Sequence, residues 1–341
     1  MGGHQNYANA LNTEPVGGDL LRERFDRVIA ALLRTTLGWI GRLPADFARE
    51  ACARVSAFYA QLGGARVTDA AINLKIAFPD KSDAARRQLL VDSYANLGRS
   101  FAELCRMYAR NNATIFDQVE IEGRENLVLA AEQSGHEGAL VVTAHFGSWE
   151  FCAAALAQSG LPVSVVQHGF RNPYVEEVVT GWRNDAGLET LTMGSAAVGV
   201  FRALARGRYV ALLVDQNAGE DEGVMSPFFT HPASTRSGPA QIAMSRGTAV
   251  VPVFFFRIGK SGAHIARIGR PLEMESGETE AVLKRNVDRI NAAVEGAIRE
   301  APEQWIWSHR RFKTQPEGSR PVYPRRRSAL RSLRHALRRR G

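Results

Sequence analysis

A mixed α/β fold, with a central sheet flanked by helices and a helical region before it, is what this sequence predicts. Two features predict it. Up to residue 112 the apolar residues recur only at helical spacing; beyond it, short β-rich apolar runs alternate with helical patterns. The composition agrees: 341 residues, 45% hydrophobic and 23% charged, suffice for a large packed core. Strand–helix alternation marks βαβ units around a largely buried sheet, in which ligands bind beyond the carboxyl ends of the strands.

Residues 1–19 are rich in Gly and Asn and are expected to be loose. Residues 20–112 read as a helical, membrane-associating region, with periodic stretches near 20–40, 45–61 and 82–110 punctuated by Pro44 and Pro79-Asp80. Within it, "VIAALLRTTLGWIG" (28–41) contains Arg34 and is too short to cross a bilayer, which takes about 20 apolar residues. Phe25, Val28, Ile29, Leu32, Leu33, Leu37 and Ile40 recur at helical spacing. That suits a helix lying on a membrane surface, or one packed on the protein's own core. Residues 113–320 form the α/β core. Its strands are "ALVVTA" (139–144), "PVSVVQ" (162–167), "YVALLVD" (209–215) and "AVVPVFFF" (249–256). Between them lie the helical patterns "SWEFCAAALAQSG", "PYVEEVVTGWRNDAG" and "AAVGVFRALARG".

The net charge of +8 comes from residues 321–341. The stretch from Pro324 onward holds eight arginines and no acid, so the rest of the chain is neutral. Such a tail can meet the phosphates of nucleic acid or of lipid head groups. Leu330, Leu333 and Leu337 share one helical face there, which suits ordering on an anionic membrane. The first twenty residues hold no apolar core of a secretory signal. Cys52, Cys105 and Cys152 are odd in number and far apart, which argues against a disulfide framework and a CxxC motif. Cys152 reads as a packing residue rather than a nucleophile.

The stretch "VVTAHFGSWEF" (141–151) carries the chemistry. An apolar strand runs into His145, Gly147 relaxes the turn, and Ser148 is placed to cap a helix beginning near Trp149. Glu150 falls in the first helical turn, where an anion is favourable. A carboxylate that accepts one ring N–H fixes the tautomer and leaves the other nitrogen as a base for a substrate hydroxyl. A structural histidine is the alternative reading of His-x4-Glu taken alone. No clustered second histidine pair supports a metal site.

Three segments, in this order, resemble the bacterial lipid A late acyltransferases, the lauroyl/myristoyl transferase family within the wider lysophospholipid and glycerolipid acyltransferase group. They are "TAHFGSWE", "LLVDQNAGEDEGVMSPFFTHPASTRSGPAQIAMSRGTAVVPVFFF" and "APEQWIWSHRRFKTQPEG", and the resemblance covers most of residues 20–320. It implies a membrane-associated O-acyltransferase with His145 as general base and Glu150 orienting it. The implied donor is an acyl carrier protein or coenzyme A thioester, with no bound cofactor. The implied acceptor is a glycolipid, most often a lipid A precursor; phosphatidylinositol mannosides serve some relatives. The implied place is the cytoplasmic side of the inner membrane, peripheral or monotopic, at an anionic surface. A thioesterase, a non-catalytic lipid-binding protein and a nucleic-acid-binding protein are the rival readings. The neutral body and the lack of a nucleic-acid module weigh against the last.

Other family positions map individually. The family's arginine four residues before an Asn-Pro is His168 here, with Arg171 the nearest guanidinium. An R-x-x-x-G pattern matches Arg183 and Gly187, where arginine holds a phosphate or polarises a thioester carbonyl, or is a surface charge. Asp215-Gln216-Asn217 stands where many members have Asp-His-Asp, so Asp215 should face the same edge as His145, where the one remaining acid suits substrate binding through sugar hydroxyls or ordering of the loop. Phe228 and Phe229 border an acyl groove or pack in the core. Arg236 is placed to bind an anion at the helix opening at Ser237. Arg310, among His309, Arg311 and Lys313, suits a phosphorylated glycolipid or a solvated charged face.

Overall fold

The computed structural model describes residues 17–109, 113–135, 138–167, 169–192, 196–220 and 222–324. Of the loose segment expected over residues 1–19, residues 1–16 lie outside the described residues and 17–19 belong to the first helix; His168 and the basic tail after Pro324 also lie outside them.

Four helices open the chain: α1 (Gly17–Arg42), α2 (Ala45–Leu62), α3 (Ala65–Ala77) and α4 (Asp83–Ala109). The sequence reading passes over α3, a short, Ala-rich helix with little contrast between its faces; it nonetheless buries Val67, Ala70, Leu74 and Ala77. Both α1 and α2 pack along α4. The crossings are tight enough to require glycine. A Cβ on Gly41 would run into the Cys105 carbonyl, and one on Gly98 into that of Cys52.

The two expectations for α1 hold on different faces. Ala30 and Leu37 are buried, with Leu33 and Ile40 beside them, so one face is core. Leu21, Phe25, Val28, Leu32 and Trp39 are exposed on the other, and α2 exposes Phe47, Val55, Phe58 and Leu62. Among the described residues, twelve of the seventeen exposed large apolar side chains lie between Leu21 and Leu62, so this apolar surface is concentrated rather than scattered. Among the described residues no helix is long and apolar enough to cross a membrane.

The rest is an α/β unit. In chain order come β1 (Val119–Glu122), α5 (Glu125–Ser134), β2 (Ala139–Thr143), α6 (Trp149–Gln158) and β3 (Val163–Gln167). Next are α7 (Pro173–Asp185), β4 (Glu189–Thr192), α8 (Ala196–Ala205), β5 (Tyr209–Leu213), β6 (Gly223–Phe228) and β7 (His231–Arg236). Last are α9 (Gly238–Arg246), β8 (Val250–Arg257), β9 (His264–Ile268) and α10 (Glu280–Glu300). A seven-stranded sheet runs β1-β9-β8-β2-β5-β3-β4, and β6-β7 is a separate hairpin. Within the large sheet only β8–β9 is antiparallel. The fold class is the mixed α/β sheet that the alternation predicts. The strands it does not predict include both edges, β1 and β4, which are short and carry Glu120, Glu122 and Glu189. Edge strands need no continuous apolar run.

The β6–β7 turn decides between two expectations. Phe228 and Phe229 are buried against Trp305, Trp307 and Phe312, with ring centroids 5.7, 6.0 and 6.3 Å apart for Phe228–Trp305, Phe229–Trp307 and Phe228–Phe312. They are core, not groove. Phe229 and Thr230 have φ of 51° and 65°, the left-handed pair that a two-residue hairpin turn demands.

Candidate active site

The register of the central strands assembles the site. Thr143 at the end of β2 pairs with Leu213 at the end of β5, and Val214 N–H donates to the Thr143 carbonyl at 3.0 Å. Two residues beyond each strand end, His145 and Asp215 therefore stand side by side. The Nδ1 of His145 lies 2.9 Å from Asp215 Oδ1. The other carboxylate oxygen accepts the His145 backbone N–H at 3.0 Å and the Trp305 indole N–H at 2.8 Å. A carboxylate only accepts, so Nδ1 carries the proton and Nε2 is left with its lone pair. The Gln216 side-chain Nε2 sits 3.3 Å from that nitrogen, in position to donate to it. The Trp149 ring stands edge-on to the imidazole, with centroids 5.2 Å apart.

The electrostatics follow from this contact. Burial opposes a charge on His145, but the Asp215 carboxylate and its hydrogen bond, aided by Glu150, outweigh burial and raise the pKa above the usual 6.5. Burial likewise opposes ionisation of Asp215. The His145 charge and the hydrogen bonds from His145 and Trp305 nevertheless hold its pKa at about 2.

The sequence reading assigned the orienting carboxylate to Glu150; the side chains pair otherwise. Glu150 is bound by Arg183, whose Nε donates to Oε2 at 3.1 Å and whose Nη2 donates to Oε1. Arg183 also donates through Nη1 to Gln167 Oε1 at the end of β3. The cause is topological: α6 leaves the turn toward α7 and β3, while β5 is the strand that pairs with β2. Arg183 is thus occupied rather than free. Arg171 is exposed before α7 and makes no hydrogen bond or ion pair among the described residues. Asn172 caps α7 by accepting from the N–H groups of Tyr174 and Val175 at 3.0 and 3.1 Å, with Pro173 at the first position, so the Asn-Pro pair is a helix start.

The basic residues nearer the C-terminus are also spoken for. Arg236 pairs with Glu222 at 3.1 Å on the hairpin. Arg310 donates through Nε to both Asp69 oxygens at 3.0 Å and tethers the C-terminal segment to α3. Arg311 is sealed in the core and bonded to the Ser234 carbonyl, Thr235 and Asn291. His309 is not a cation: burial, joined by the charges of His145, Arg311 and Arg66, holds its pKa down at about 4 against the pull of Asp215.

The turn carrying His145 is clamped by groups that the sequence reading missed. The Gly147 N–H donates to the Gln304 carbonyl at 2.8 Å, and Ile306 N–H to the His145 carbonyl at 3.2 Å. Ser100 Oγ on α4 lies 3.0 Å from the Gly147 carbonyl. Gly147 has φ of 61°, and a Cβ there would strike the Phe255 carbonyl, so no other residue fits. Ser148 occupies the N-cap position of α6, but its side chain makes no capping bond. Behind Ser100, the Arg257 guanidinium bonds Asn96 at 2.8 Å, Ser100 at 3.0 Å and the buried Glu103. A lone Arg ending "VPVFFFR" and a lone Glu in α4 were the legible signals. Cys152 is fully buried, and burial pushes its thiol well above the ordinary range, so it packs and does not react.

Beneath α6, against β2, β3, β5 and β8, lies a narrow apolar cavity of about 50 Å³. Leu127, Val141, Leu156, Val163 and Tyr209 line it, and of all its lining residues only Glu150 and Arg183 carry charge. Trp149 belongs both to this cavity and to the His145 site. Among the described residues no group of three or more His, Cys, Asp or Glu is placed to hold a metal ion.

Several known proteins are similar to this chain. The lipid A biosynthesis lauroyltransferase of Escherichia coli is 28% identical over 251 residues, 72% of this chain and 78% of that protein. The palmitoleoyltransferase of the same organism is 27% identical over 252 residues, 74% of this chain and 80% of that protein. The phosphatidylinositol mannoside acyltransferase of Mycolicibacterium smegmatis is 23% identical over 210 residues, 60% of this chain and 67% of that protein. The protein is therefore an acyltransferase, an enzyme that takes an acyl donor and a lipid acceptor. It belongs to the bacterial lipid A biosynthesis acyltransferase family, whose profile it matches over residues 24–314.

Proposed function

We propose that this enzyme moves a fatty acyl chain from a thioester to a hydroxyl of a glycolipid, with a lipid A precursor as acceptor and His145 as general base. The observation that carries the reading is the junction of the base with the cavity: Trp149 lines the cavity and stands edge-on to the His145 ring. Each donor methylene buried against these apolar walls contributes about 0.8 kcal/mol, which favours a fatty chain that widens the narrow cavity and leaves its carbonyl near Nε2. The acceptor oxygen attacks that carbonyl carbon while its proton passes to Nε2. The C–S bond then breaks, and the imidazolium returns the proton to the departing thiolate. Asp215 holds the tautomer and stabilises the imidazolium. Glu150, paired with Arg183 at the cavity, positions the donor and lends its charge to His145. The donor is an acyl carrier protein or coenzyme A thioester.

The exposed apolar faces of α1 and α2, with Arg22, Arg24 and Arg34 among them, suit burial in an anionic bilayer surface. We place the enzyme at the cytoplasmic side of the inner membrane, where acyl thioesters are available. The mannoside acyltransferase relative supports a second acceptor class, phosphatidylinositol mannosides.

Purified protein, offered each acceptor with each donor and read by mass spectrometry of the lipid products, tests the proposal. A single acylation is expected with a lipid A precursor, and His145→Ala should lose about 10²–10⁴-fold in turnover. Thioester hydrolysis that no lipid diverts would make the protein a thioesterase instead. Near-wild-type transfer by His145→Ala would remove the base.

A further inference from the structure

His145 has an oriented lone pair, yet Arg183, Arg310 and Arg311 are not free to meet the oxyanion that attack on a thioester creates, and Arg171 lies exposed ahead of α7. Arg183 is engaged by Glu150 and Gln167, Arg310 by Asp69, and Arg311 is sealed in the core. One group near His145 is still uncommitted.

We propose that His309 is a further catalytic residue, a neutral imidazole whose Nδ1–H donates to the oxyanion forming on the donor's carbonyl oxygen. The proposal rests on the acyl-transfer reading above. Its geometric basis is the Asn217 backbone N–H, which donates to His309 Nε2 at 3.0 Å. A nitrogen that accepts carries no proton, so the ring proton is on Nδ1. Nδ1 has no partner among the described residues, and the ring is only partly buried. The residue is fixed in place. Its carbonyl accepts from Asn73 Nδ2 at 2.6 Å, and Asn217 is itself tied to Thr314, donating to Oγ1 at 3.0 Å and accepting from N–H at 2.9 Å.

The two imidazoles hang from one three-residue loop in opposite tautomers. Asp215 takes the Nδ1–H of His145 and turns a lone pair to the site; Asn217 takes the Nε2 lone pair of His309 and leaves an N–H. One ring is built to accept a proton and the other to donate a hydrogen bond. His309 also feels the charges of both Asp215 and His145, which places it in their neighbourhood, and it stays neutral well below neutral pH. During the reaction it keeps its proton. The hydroxyl proton goes to His145 Nε2 and then to the thiolate, while charge gathers on the carbonyl oxygen in front of Nδ1–H and disperses as the C–S bond breaks.

The test compares His309→Gln with His309→Asn. Gln can still accept from Asn217 but offers no donor at the Nδ1 position; Asn keeps a donor there and loses the acceptor. Removing one oxyanion donor costs about 10²–10³-fold in kcat, so Gln should fall that far with the donor's KM nearly unchanged, and Asn should retain more. Equal losses, or Gln above Asn, would show a structural role and overturn the proposal. Nitrogen-15 NMR of the wild-type ring gives an independent reading: a protonated Nδ1 and bare Nε2 are expected above pH 5, and the opposite tautomer refutes the donor. Wild-type transfer and its loss in His145→Ala are measured beside these. Their failure sinks the acyl-transfer reading; their success with an active Gln variant sinks only the role of His309.

Discussion

Replacing Asp215 with Asn puts the site's central contact to the test. Asp215 Oδ2 receives two donors, the His145 backbone N–H and the Trp305 indole N–H, so the Asn oxygen must stay on that side. The amide NH2 then faces His145 Nδ1, where Oδ1 now sits at 2.9 Å. Two donors cannot face each other. The ring answers by moving its proton to Nε2, and the base is lost. A positioned general base is worth about 10²–10⁴-fold, and an inverted tautomer forfeits most of it. The pH profile should move as well. His145 works only when neutral, so turnover rises with pH through its pKa, and Asp215 is what raises that pKa above 6.5. In Asp215→Asn the acidic limb should shift to lower pH while the plateau falls. Glu150→Gln leaves the Nδ1 contact intact and should lose less. Steady-state transfer measured from pH 5 to 9 decides. An Asp215→Asn plateau within about tenfold of wild type, or a larger loss in Glu150→Gln, would refute the assignment.

Three further outcomes follow from other parts of the molecule. Exchanging Phe25, Trp39 and Phe58 for Ser should release the protein from anionic vesicles in flotation while its melting temperature changes little, because these side chains are largely exposed; unchanged flotation would move the membrane contact elsewhere. Thr230→Gly should stabilise the protein by about 0.5–1 kcal/mol in urea denaturation by relieving a φ of 65°, and a loss would show that the Thr230 hydroxyl matters more. Glu103→Gln leaves the buried Arg257 without its counter-charge and should cost about 3–5 kcal/mol. Burial opposes the Glu103 charge, but His264 and Arg257 hold the pKa at about 2, so this stabilisation is full above pH 4.5 and fades as pH falls toward 2. A Glu103→Gln shift under about 1 kcal/mol would mean the pair is only filler.

What the sequence alone determined is what local pattern encodes. Buried parallel strands are continuous apolar runs, so β2, β3, β5 and β8 were legible, and with them the fold class. A strand end is also local, so His145 and Asp215 could be assigned to one edge of the sheet. The edge strands and α3 were not legible, because a short or half-polar element carries too little contrast. Only the tertiary structure decided which carboxylate holds His145. Glu150 is nearer in sequence, but strand order sets β5 beside β2 and sends α6 toward Arg183, so Asp215 makes the contact from 70 residues away. The same holds for His309. Its tautomer depends on a backbone N–H that lies 92 residues distant, and a hydrogen bond between remote segments leaves no periodicity for a sequence to show.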